Sequence, residues 1–308
     1  MSTASPTIST TVRFNPKLAL LRAGFRVGAW LQPRRTLERA SRLFSTPMPS
    51  TRSRALRASS GGAVEDALDV DGRRIHTYAW GDPAAQPWVL LAHGWSSHGT
   101  RFLPWIAPLR EAGYAVVAFD QPAHGRSEGR RSNLPEFVDT LAAVAGRHGP
   151  AAAVLGHSLG GAAVAIAMAR GLPADRAVLI APAADPVAAA QRFARLVGLP
   201  MRLCRRMVAM FESMIDTSFD EFQAQHNAPR IGCPALVVHD LSDREVPWEE
   251  GERYARFWPG AQLLSTHGLG HNRVVDDPAV IGAALAFLRG EAVGQRVVST
   301  TALPYGIA

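Results

Sequence analysis

The chain has 308 residues, of which 47% are hydrophobic and 19% charged, so it is long enough for one large globular domain or two ordinary ones. It has no run near the roughly 18 uninterrupted apolar residues of a membrane span. Its two cysteines exclude a disulfide framework and suit a reducing compartment, so we expect a cytoplasmic protein. The net charge of +7 is uneven, with +10 on residues 1–60 and −3 on the rest, and no motif supports nucleic-acid binding.

Residues 1–62 are predicted to form a basic N-terminal extension. Residues 1–12 are rich in Ser and Thr and resemble a disordered segment, and Pro16 predicts the start of an amphipathic helix that ends near residue 32. The predicted apolar face of this helix comprises Leu18, Leu21 and Phe25, widened by Leu20, Val27 and Leu31. A second short helix is predicted over residues 36–44 and a linker over residues 45–62.

Two roles are open for this extension. Its apolar face could pack on the main domain, which we favour because a turn-spaced apolar stripe is an ordinary core-facing pattern. The alternative is a weak peripheral membrane contact through residues 13–44, which would make the cytoplasmic protein membrane-associated. In either case we expect residues 1–60 to add no catalytic group.

Residues 63–292 are predicted to form the main domain. Asp71-Gly72 separates its first two strands as a hairpin turn. Strands are predicted at residues 64–70, 74–80, 88–92, 114–119, 151–155, 176–180, 234–239 and 261–265. Helices are predicted at residues 102–112, 133–148, 162–169, 248–258 and 278–289. This alternation indicates an α/β fold with a parallel sheet covered by helices on both faces, and residues 293–308 are predicted to be a C-terminal tail.

One segment interrupts the alternation. Between residues 183 and 229 no strand is predicted, and helices are expected at residues 186–199, 201–215 and 219–227, the last beginning with Ser218 and Glu221 at capping-box spacing. An insertion of this length between two core strands predicts a helical lid. Its methionines fit either core packing or an irregular apolar substrate surface.

The chain is organised around Gly156-His157-Ser158-Leu159-Gly160, which lies between an apolar strand and a helix of small residues. The Gly-x-Ser-x-Gly pattern in this position predicts a sharp strand-to-helix turn that exposes the serine hydroxyl. Glycine is needed on either side because a Cβ would clash in so tight a turn. Ser158 is therefore the candidate nucleophile.

A second motif, His93-Gly94-Trp95, follows the strand at residues 88–92. The backbone N–H of Trp95 and that of Leu159, at a helix N-terminus, are predicted to form a two-donor oxyanion hole over Ser158. His93 is expected to be a structural hydrogen-bonding residue. Asp120 precedes the serine in the chain, so we expect it to fix a loop.

The candidate acid is Asp243, which follows the strand at residues 234–239. Asp240 is closer to that strand and is expected to shape the turn, while Asp185, after the strand at residues 176–180, is the second candidate.

The candidate base is His271, with His267 as the alternative, because glycines beside a loop histidine let it reach the serine. A serine needs a base to take its proton, and the base needs a carboxylate to hold its tautomer. The order Ser158, Asp243, His271 is the order that accompanies this type of turn.

From about residue 66 to residue 289 the chain resembles the α/β-hydrolase superfamily. The motifs that carry the resemblance are His93-Gly94-Trp95, the Asp-x-Pro-x-His-Gly-x-Ser stretch at residues 120–127, Gly-x-Ser-x-Gly at residues 156–160, residues 243–247 and Gly270-His271. The resemblance implies an eight-stranded, mostly parallel sheet with one antiparallel strand, and hydrolysis without a cofactor or metal. Ala123 stands where glycine is usual, and we expect little consequence.

The favoured hypothesis is a serine hydrolase of the carboxylesterase or lipase type that cleaves an ester or thioester with an apolar acyl group. Dehalogenase and epoxide hydrolase mechanisms need a carboxylate at position 158 and are disfavoured. Cofactor-free haloperoxidase or C–C hydrolase chemistry with the same triad is the alternative, as is a non-catalytic ligand-binding role.

Overall fold

The computed structural model describes residues 16–297. The Ser/Thr-rich segment and most of the predicted C-terminal tail lie outside these residues. The strands are β1 (Val64–Val70), β2 (Arg73–Trp80), β3 (Trp88–Ala92), β4 (Ala115–Phe119), β5 (Ala153–His157), β6 (Ala177–Ile180), β7 (Ala235–Asp240), β8 (Gln262–Thr266) and β9 (Gln295–Arg296). The helices are α1 (Pro16–Leu31), α2 (Pro33–Phe44), α3 (Pro49–Arg57), α4 (Leu103–Glu111), α5 (Leu134–Gly146), α6 (Leu159–Ala169), α7 (Pro186–Val197), α8 (Met201–Ile215), α9 (Ala224–Asn227), α10 (Trp248–Phe257), α11 (Gly270–Arg273) and α12 (Pro278–Leu288).

All nine strands form one sheet in the order β1-β2-β4-β3-β5-β6-β7-β8-β9. Strands β3 to β8 run parallel, and β2 pairs antiparallel with both of its neighbours. The central strands β3 to β7 are buried on both faces, because successive side chains point alternately into two helical layers. Helices α5, α6 and α10 cover one face, and α4 and α12 cover the other. The predicted fold class is therefore confirmed.

The structure differs from the predicted elements in several places, one of which is the short helix α11, predicted as a loop. A ninth, two-residue strand pairs antiparallel with β8. Residues 219–230 form two 3-10 turns around the short α9 instead of one helix. There the Ser218 hydroxyl accepts the N–H of Asp220, and the carboxylate of Glu212 accepts the N–H of Phe219, so the predicted capping box is absent from this segment.

The predicted linker is wrong over residues 49–57, which form α3. Pro49 occupies the first helical position, where its missing N–H costs nothing. The Arg52 guanidinium holds α3 against the loop after β4 by donating to the carbonyl oxygens of Ser127 at 2.8 Å and Gly129 at 3.0 Å. Tertiary contacts, rather than local helix propensity, thus determine this helix.

Helices α1 and α2 pack against α7 and α8 of the insertion between β6 and β7. Phe25 and Ala40 are buried in this contact together with Ala194, Leu203 and Met207. The favoured packing of the extension is therefore present, but only one side of α1 takes part in it. Leu20, Val27 and Leu31, predicted to widen the packed face, are exposed. None of the helices between residues 16 and 297 combines the length and apolarity needed to span a bilayer.

Candidate active site

Ser158 lies between the end of β5 and the first residue of α6 and has φ of +55° and ψ of −122°. A residue with a Cβ avoids this region unless its surroundings impose it, and such strain is typical of a nucleophile held in a sharp turn. A Cβ on Gly156 would lie 2.6 Å from the Gly160 carbonyl oxygen, and one on Gly160 would collide with the carbonyl of Ala92. Both glycines are thus required by the close approach of backbone, as the sequence predicts.

Three side chains form a continuous hydrogen-bonded chain at the carboxyl end of the sheet. Ser158 Oγ lies 2.9 Å from His271 Nε2, and His271 Nδ1 lies 2.7 Å from Asp243 Oδ2. If Nδ1 carries the proton and donates to the carboxylate, Nε2 is free to accept from the serine hydroxyl. The structure therefore brings together the three residues selected from the sequence, although they are up to 113 positions apart.

The Asp243 carboxylate is fully buried and heavily bonded. Its Oδ1 accepts the backbone N–H groups of Glu245 and Val246 at 2.8 and 3.0 Å, and Oδ2 also lies 3.3 Å from His239 Nε2. Burial alone would raise the pKa of Asp243, but the hydrogen bonds from His239 and His271 outweigh it and hold the pKa below its ordinary value. Asp243 is therefore charged at neutral pH and able to stabilise a protonated His271.

The two alternative acids have other hydrogen-bond partners, and the alternative base lies at the surface. Asp185 caps α7 by accepting the Ala188 N–H at 2.9 Å. Asp240 accepts from the Thr266 hydroxyl at 2.7 Å and the Leu269 N–H at 3.0 Å, so it shapes the loop that leads to His271. His267 is exposed.

The loop after β3 lies directly against Ser158. A Cβ on Gly94 would lie 2.8 Å from Ser158 Cβ, so only glycine allows this approach. The next residue is Trp95, and the N–H groups of Trp95 and Leu159 have no hydrogen-bond partner among residues 16–297. Unpaired donors beside a nucleophile are suited to bind an oxyanion.

Two buried, neutral histidines accept hydrogen bonds that hold this loop against the loop after β4. His93 Nε2 accepts the Gln121 N–H at 2.9 Å, and His124 Nε2 accepts the Ser96 N–H at 3.0 Å. Burial lowers the pKa of both His93 and His124 to about 3, so each remains an acceptor at neutral pH. Asp120 accepts from the Gly99 N–H at 2.7 Å in the same region, in keeping with the loop-fixing role predicted for it.

Ala123, where glycine is usual, has φ of +67°. Left-handed backbone costs a residue with a Cβ about 1 kcal/mol. The expectation of little consequence therefore overlooks a local strain in the turn that carries His124.

Two further histidines contact His271 or Asp243, and neither of them was given a role from the sequence. His157 Nε2 donates to the His271 carbonyl oxygen at 2.9 Å, while burial lowers the pKa of His157 to about 3. His239 bonds to Asp243 and to the Val246 carbonyl oxygen. The sequence did carry a signal for them, since each histidine lies at or near the end of an apolar strand, β5 or β7.

Ser158 opens into an apolar cavity of about 720 Å³. The insertion contributes Phe193 and Phe211 to its wall, and the N-terminal extension contributes Leu21 and Phe44. The ring of Phe44 packs between Phe193 and Phe211 at 5.1 and 5.7 Å between centroids. Among the residues described, no group of three or more His, Cys, Asp or Glu side chains is arranged to hold a metal ion.

Comparisons with known proteins are consistent with this geometry. A model of the family described as serine aminopeptidase, S33, matches residues 83–218. The chain is 29% identical over 240 residues to a monoacylglycerol lipase of Mycolicibacterium smegmatis, covering 61% of this chain and 82% of the relative. It is 25% identical over 271 residues to a non-heme chloroperoxidase of Streptomyces lividans, covering 71% of this chain and 97% of the relative.

Among solved structures, the fold is similar to that of a membrane phospholipase A described as a bacterial virulence factor. The TM-score is 0.58 at 21% sequence identity, with 89% of this chain and 97% of the other covered. At this identity the likeness concerns the fold alone.

Proposed function

The chain belongs to the α/β-hydrolase superfamily, and on that premise we propose that it is a serine hydrolase that cleaves carboxylic esters or thioesters through an acyl-enzyme. The observation that carries the proposal is the chain of hydrogen bonds from Ser158 through His271 to Asp243, with its serine end open to an apolar cavity. Catalysis would need no cofactor.

In the proposed mechanism the Ser158 hydroxyl transfers its proton to His271 Nε2 as Oγ attacks the substrate carbonyl carbon. The Trp95 and Leu159 N–H groups bind the resulting oxyanion, and Asp243 stabilises the protonated imidazole. When the tetrahedral intermediate collapses, His271 gives its proton to the departing alcohol or thiol. Water then attacks the acyl-enzyme with the same assistance, and the carboxylic acid leaves.

The cavity supports an apolar acyl group as substrate. Its volume is in the range of ordinary ligand sites, roughly 300–1,000 Å³, and the rings of Phe44, Phe193 and Phe211 form one of its walls. We propose that residues 183–229 act as the lid over this cavity. The buried carboxylate of Glu250 holds the lid's first turn by accepting the Ala184 N–H at 2.7 Å and pairing with Arg192.

We propose that the chain divides at residue 62 into an N-terminal extension, which supports the lid, and the hydrolase domain. The protein would be cytoplasmic, and the extension would bind membranes weakly. The structure modifies one expectation about that extension. The extension lines the cavity through Leu21 and Phe44. It would therefore contact the substrate, although it holds none of the triad residues.

The test is hydrolysis of p-nitrophenyl esters of increasing acyl length, beside acyl-CoA thioesters, with Ser158→Ala as the blank. We expect kcat/KM to rise from acetyl to medium-length acyl chains. A steady fall from two carbons upward would contradict the apolar acyl site, and equal turnover by Ser158→Ala would contradict the mechanism.

A similarity to a bifunctional esterase/perhydrolase of Acinetobacter calcoaceticus, 26% identical over 280 residues, favours one second candidate, perhydrolysis. There hydrogen peroxide replaces water as the nucleophile that attacks the acyl-enzyme, and a peroxyacid leaves. Assay of peroxyacid formation from acetate esters in the presence of peroxide separates this activity from simple hydrolysis.

A further inference from the structure

Helix α1 carries two apolar stripes on opposite sides. Leu21, Phe25 and Ala29 form the inner stripe, which packs against α7 and α8 or lines the cavity. The outer stripe consists of Leu20, Val27, Trp30 and Leu31. Leu20 and Phe25 are five positions apart, which separates them by about 140° around an α-helix. A helix that packs on only one side ordinarily has polar residues on the other, so the outer stripe requires an explanation.

The outer stripe is highly exposed. Trp30 is 79% exposed and Leu20 is 76% exposed, while Leu31 and Val27 are more than half exposed. The four large apolar side chains lie along one side of the helix, with the exposed small residues Ala23 and Gly24 between Leu20 and Val27. An exposed apolar patch of this kind marks an interaction surface. Nothing in the fold of residues 16–297 covers these side chains.

The charges around the outer stripe indicate what covers it. Residues 16–44 contain seven basic residues and one acidic residue, Glu38, and all eight are exposed. None of the seven forms an ion pair with another residue of the described chain. Arg26 lies on α1 itself, and Arg34 and Arg35 follow at the start of α2. The partner surface must therefore be both apolar and negatively charged.

We infer that the outer stripe inserts into the interface of an anionic lipid bilayer, with α1 lying parallel to the surface. Leucine, valine and tryptophan would occupy the boundary between headgroups and acyl chains, and the basic residues would meet the anionic headgroups. Tryptophan suits this position because its ring is apolar and its N–H is polar. A second copy of the chain fits less well, since a symmetric contact would bring two strongly basic surfaces together.

This surface adjoins the cavity. Leu21 on the inner stripe of α1 lines the cavity, and so does Leu196, which is 53% exposed and whose carbonyl oxygen accepts from Arg22 Nε at 2.9 Å. Docking would thus place the cavity wall about one helix diameter, roughly 10 Å, from the lipid. The docking itself does not depend on the proposed hydrolysis, and its test requires no substrate.

The test is co-sedimentation of the full-length protein with vesicles of phosphatidylcholine alone, or mixed about three to one with phosphatidylglycerol, at low and high salt. We expect binding to the mixed vesicles that weakens with salt. The triple variant Leu20→Ser/Val27→Ser/Leu31→Ser should bind at least tenfold more weakly at an unchanged melting temperature. Arg34→Gln and Arg35→Gln should each weaken binding by roughly fivefold.

Matched controls are Val64→Ser and Leu241→Ser, which replace exposed apolar residues elsewhere and should bind like wild type. On binding, tryptophan emission should shift to shorter wavelength, and Trp30→Phe should lose most of that shift.

Four results would overturn the inference. The first is absence of binding to the mixed vesicles, and the second is equal binding by the triple variant. The third is a lower melting temperature for that variant, which would mean that the chain itself covers the stripe. The last is a wild-type dimer that the triple variant dissociates, which would identify a second copy as the partner.

Discussion

The Met48 backbone N–H donates a hydrogen bond to the Ser96 hydroxyl oxygen at 2.9 Å. This bond joins the N-terminal extension to the loop that carries Trp95, one of the proposed oxyanion donors. Ser96 has φ of +52°, and its own N–H donates to His124. The orientation of the Trp95 N–H therefore depends on contacts from the extension on one side and from a buried histidine on the other.

We predict that Ser96→Ala lowers kcat roughly three- to tenfold with little change in KM, because one hydrogen bond of about 1 kcal/mol no longer holds the oxyanion loop. Steady-state kinetics on a short-chain ester measures this. Ser53→Ala, which removes an exposed hydroxyl from α3, is the matched control and should leave kcat unchanged. An effect of Ser96→Ala on KM alone would indicate a substrate contact instead.

The contact of His239 with Asp243 yields a second prediction. His239→Leu should lower kcat about tenfold, because the carboxylate loses a donor and holds the base less firmly. His239→Gln retains an N–H donor and should recover most of the activity. Equal loss in both variants at equal melting temperatures would show that the histidine fills space rather than positioning the acid.

Because three buried histidines are neutral in the folded state, we predict that the protein is less stable in mild acid. Burial lowers the pKa of His93, His124 and His157 to about 3, whereas an unfolded chain binds these protons near the ordinary value of 6.5. Between those values the unfolded state binds more protons, so the free energy of unfolding must fall as pH falls. Each histidine should contribute a loss of about 1–2 kcal/mol between pH 7 and pH 5.

Urea denaturation at the two pH values measures this loss. His157→Gln should reduce it by the share of one histidine, and His226→Gln, at an exposed position, should leave it unchanged. A free energy of unfolding that is constant between the two pH values would contradict the neutral, buried state of these histidines.

The two sides of α1 should differ sharply in their effect on stability. Phe25 is 1% exposed, so Phe25→Ala should destabilise the protein by about 3 kcal/mol or more through loss of buried apolar surface and a cavity. Leu20→Ala, on the outer stripe of the same helix, should change stability by less than about 0.5 kcal/mol. Similar effects of the two substitutions in chemical denaturation would contradict the packing described for α1.

The sequence was sufficient for features that local patterns determine. Strands buried on both faces appear as short apolar runs, so β3 and β7 were located to within one residue. The glycines around Ser158 identified the sharp turn, because few other conformations need glycine at both positions. From several acids and histidines, the chain order selected three side chains, Ser158, Asp243 and His271, which the structure joins by hydrogen bonds. Their catalytic role stays a prediction.

Features that depend on distant contacts could not be predicted. Helix α3 has an Arg/Ser-rich sequence of weak pattern and is held by the contacts of Arg52 with another loop. On a helical projection the apolar residues of α1 form one broad face. Only the contacts with α7 and α8 show which side of the helix is covered. The role of Phe44 in the cavity wall follows from contacts with Phe193 and Phe211, more than 140 positions away.

The most direct test of the central claim is the rate of labelling by a fluorophosphonate, followed by intact mass and peptide mapping. The proposed mechanism predicts one adduct on Ser158 in wild type and none in Ser158→Ala. His271→Ala and Asp243→Ala should label at least a hundredfold more slowly, because the hydroxyl loses its base or the base loses its carboxylate. Asp185→Ala should label like wild type. Labelling at another residue, or wild-type rates in Asp243→Ala with loss in Asp185→Ala, would contradict the claim that Ser158, His271 and Asp243 act as one unit.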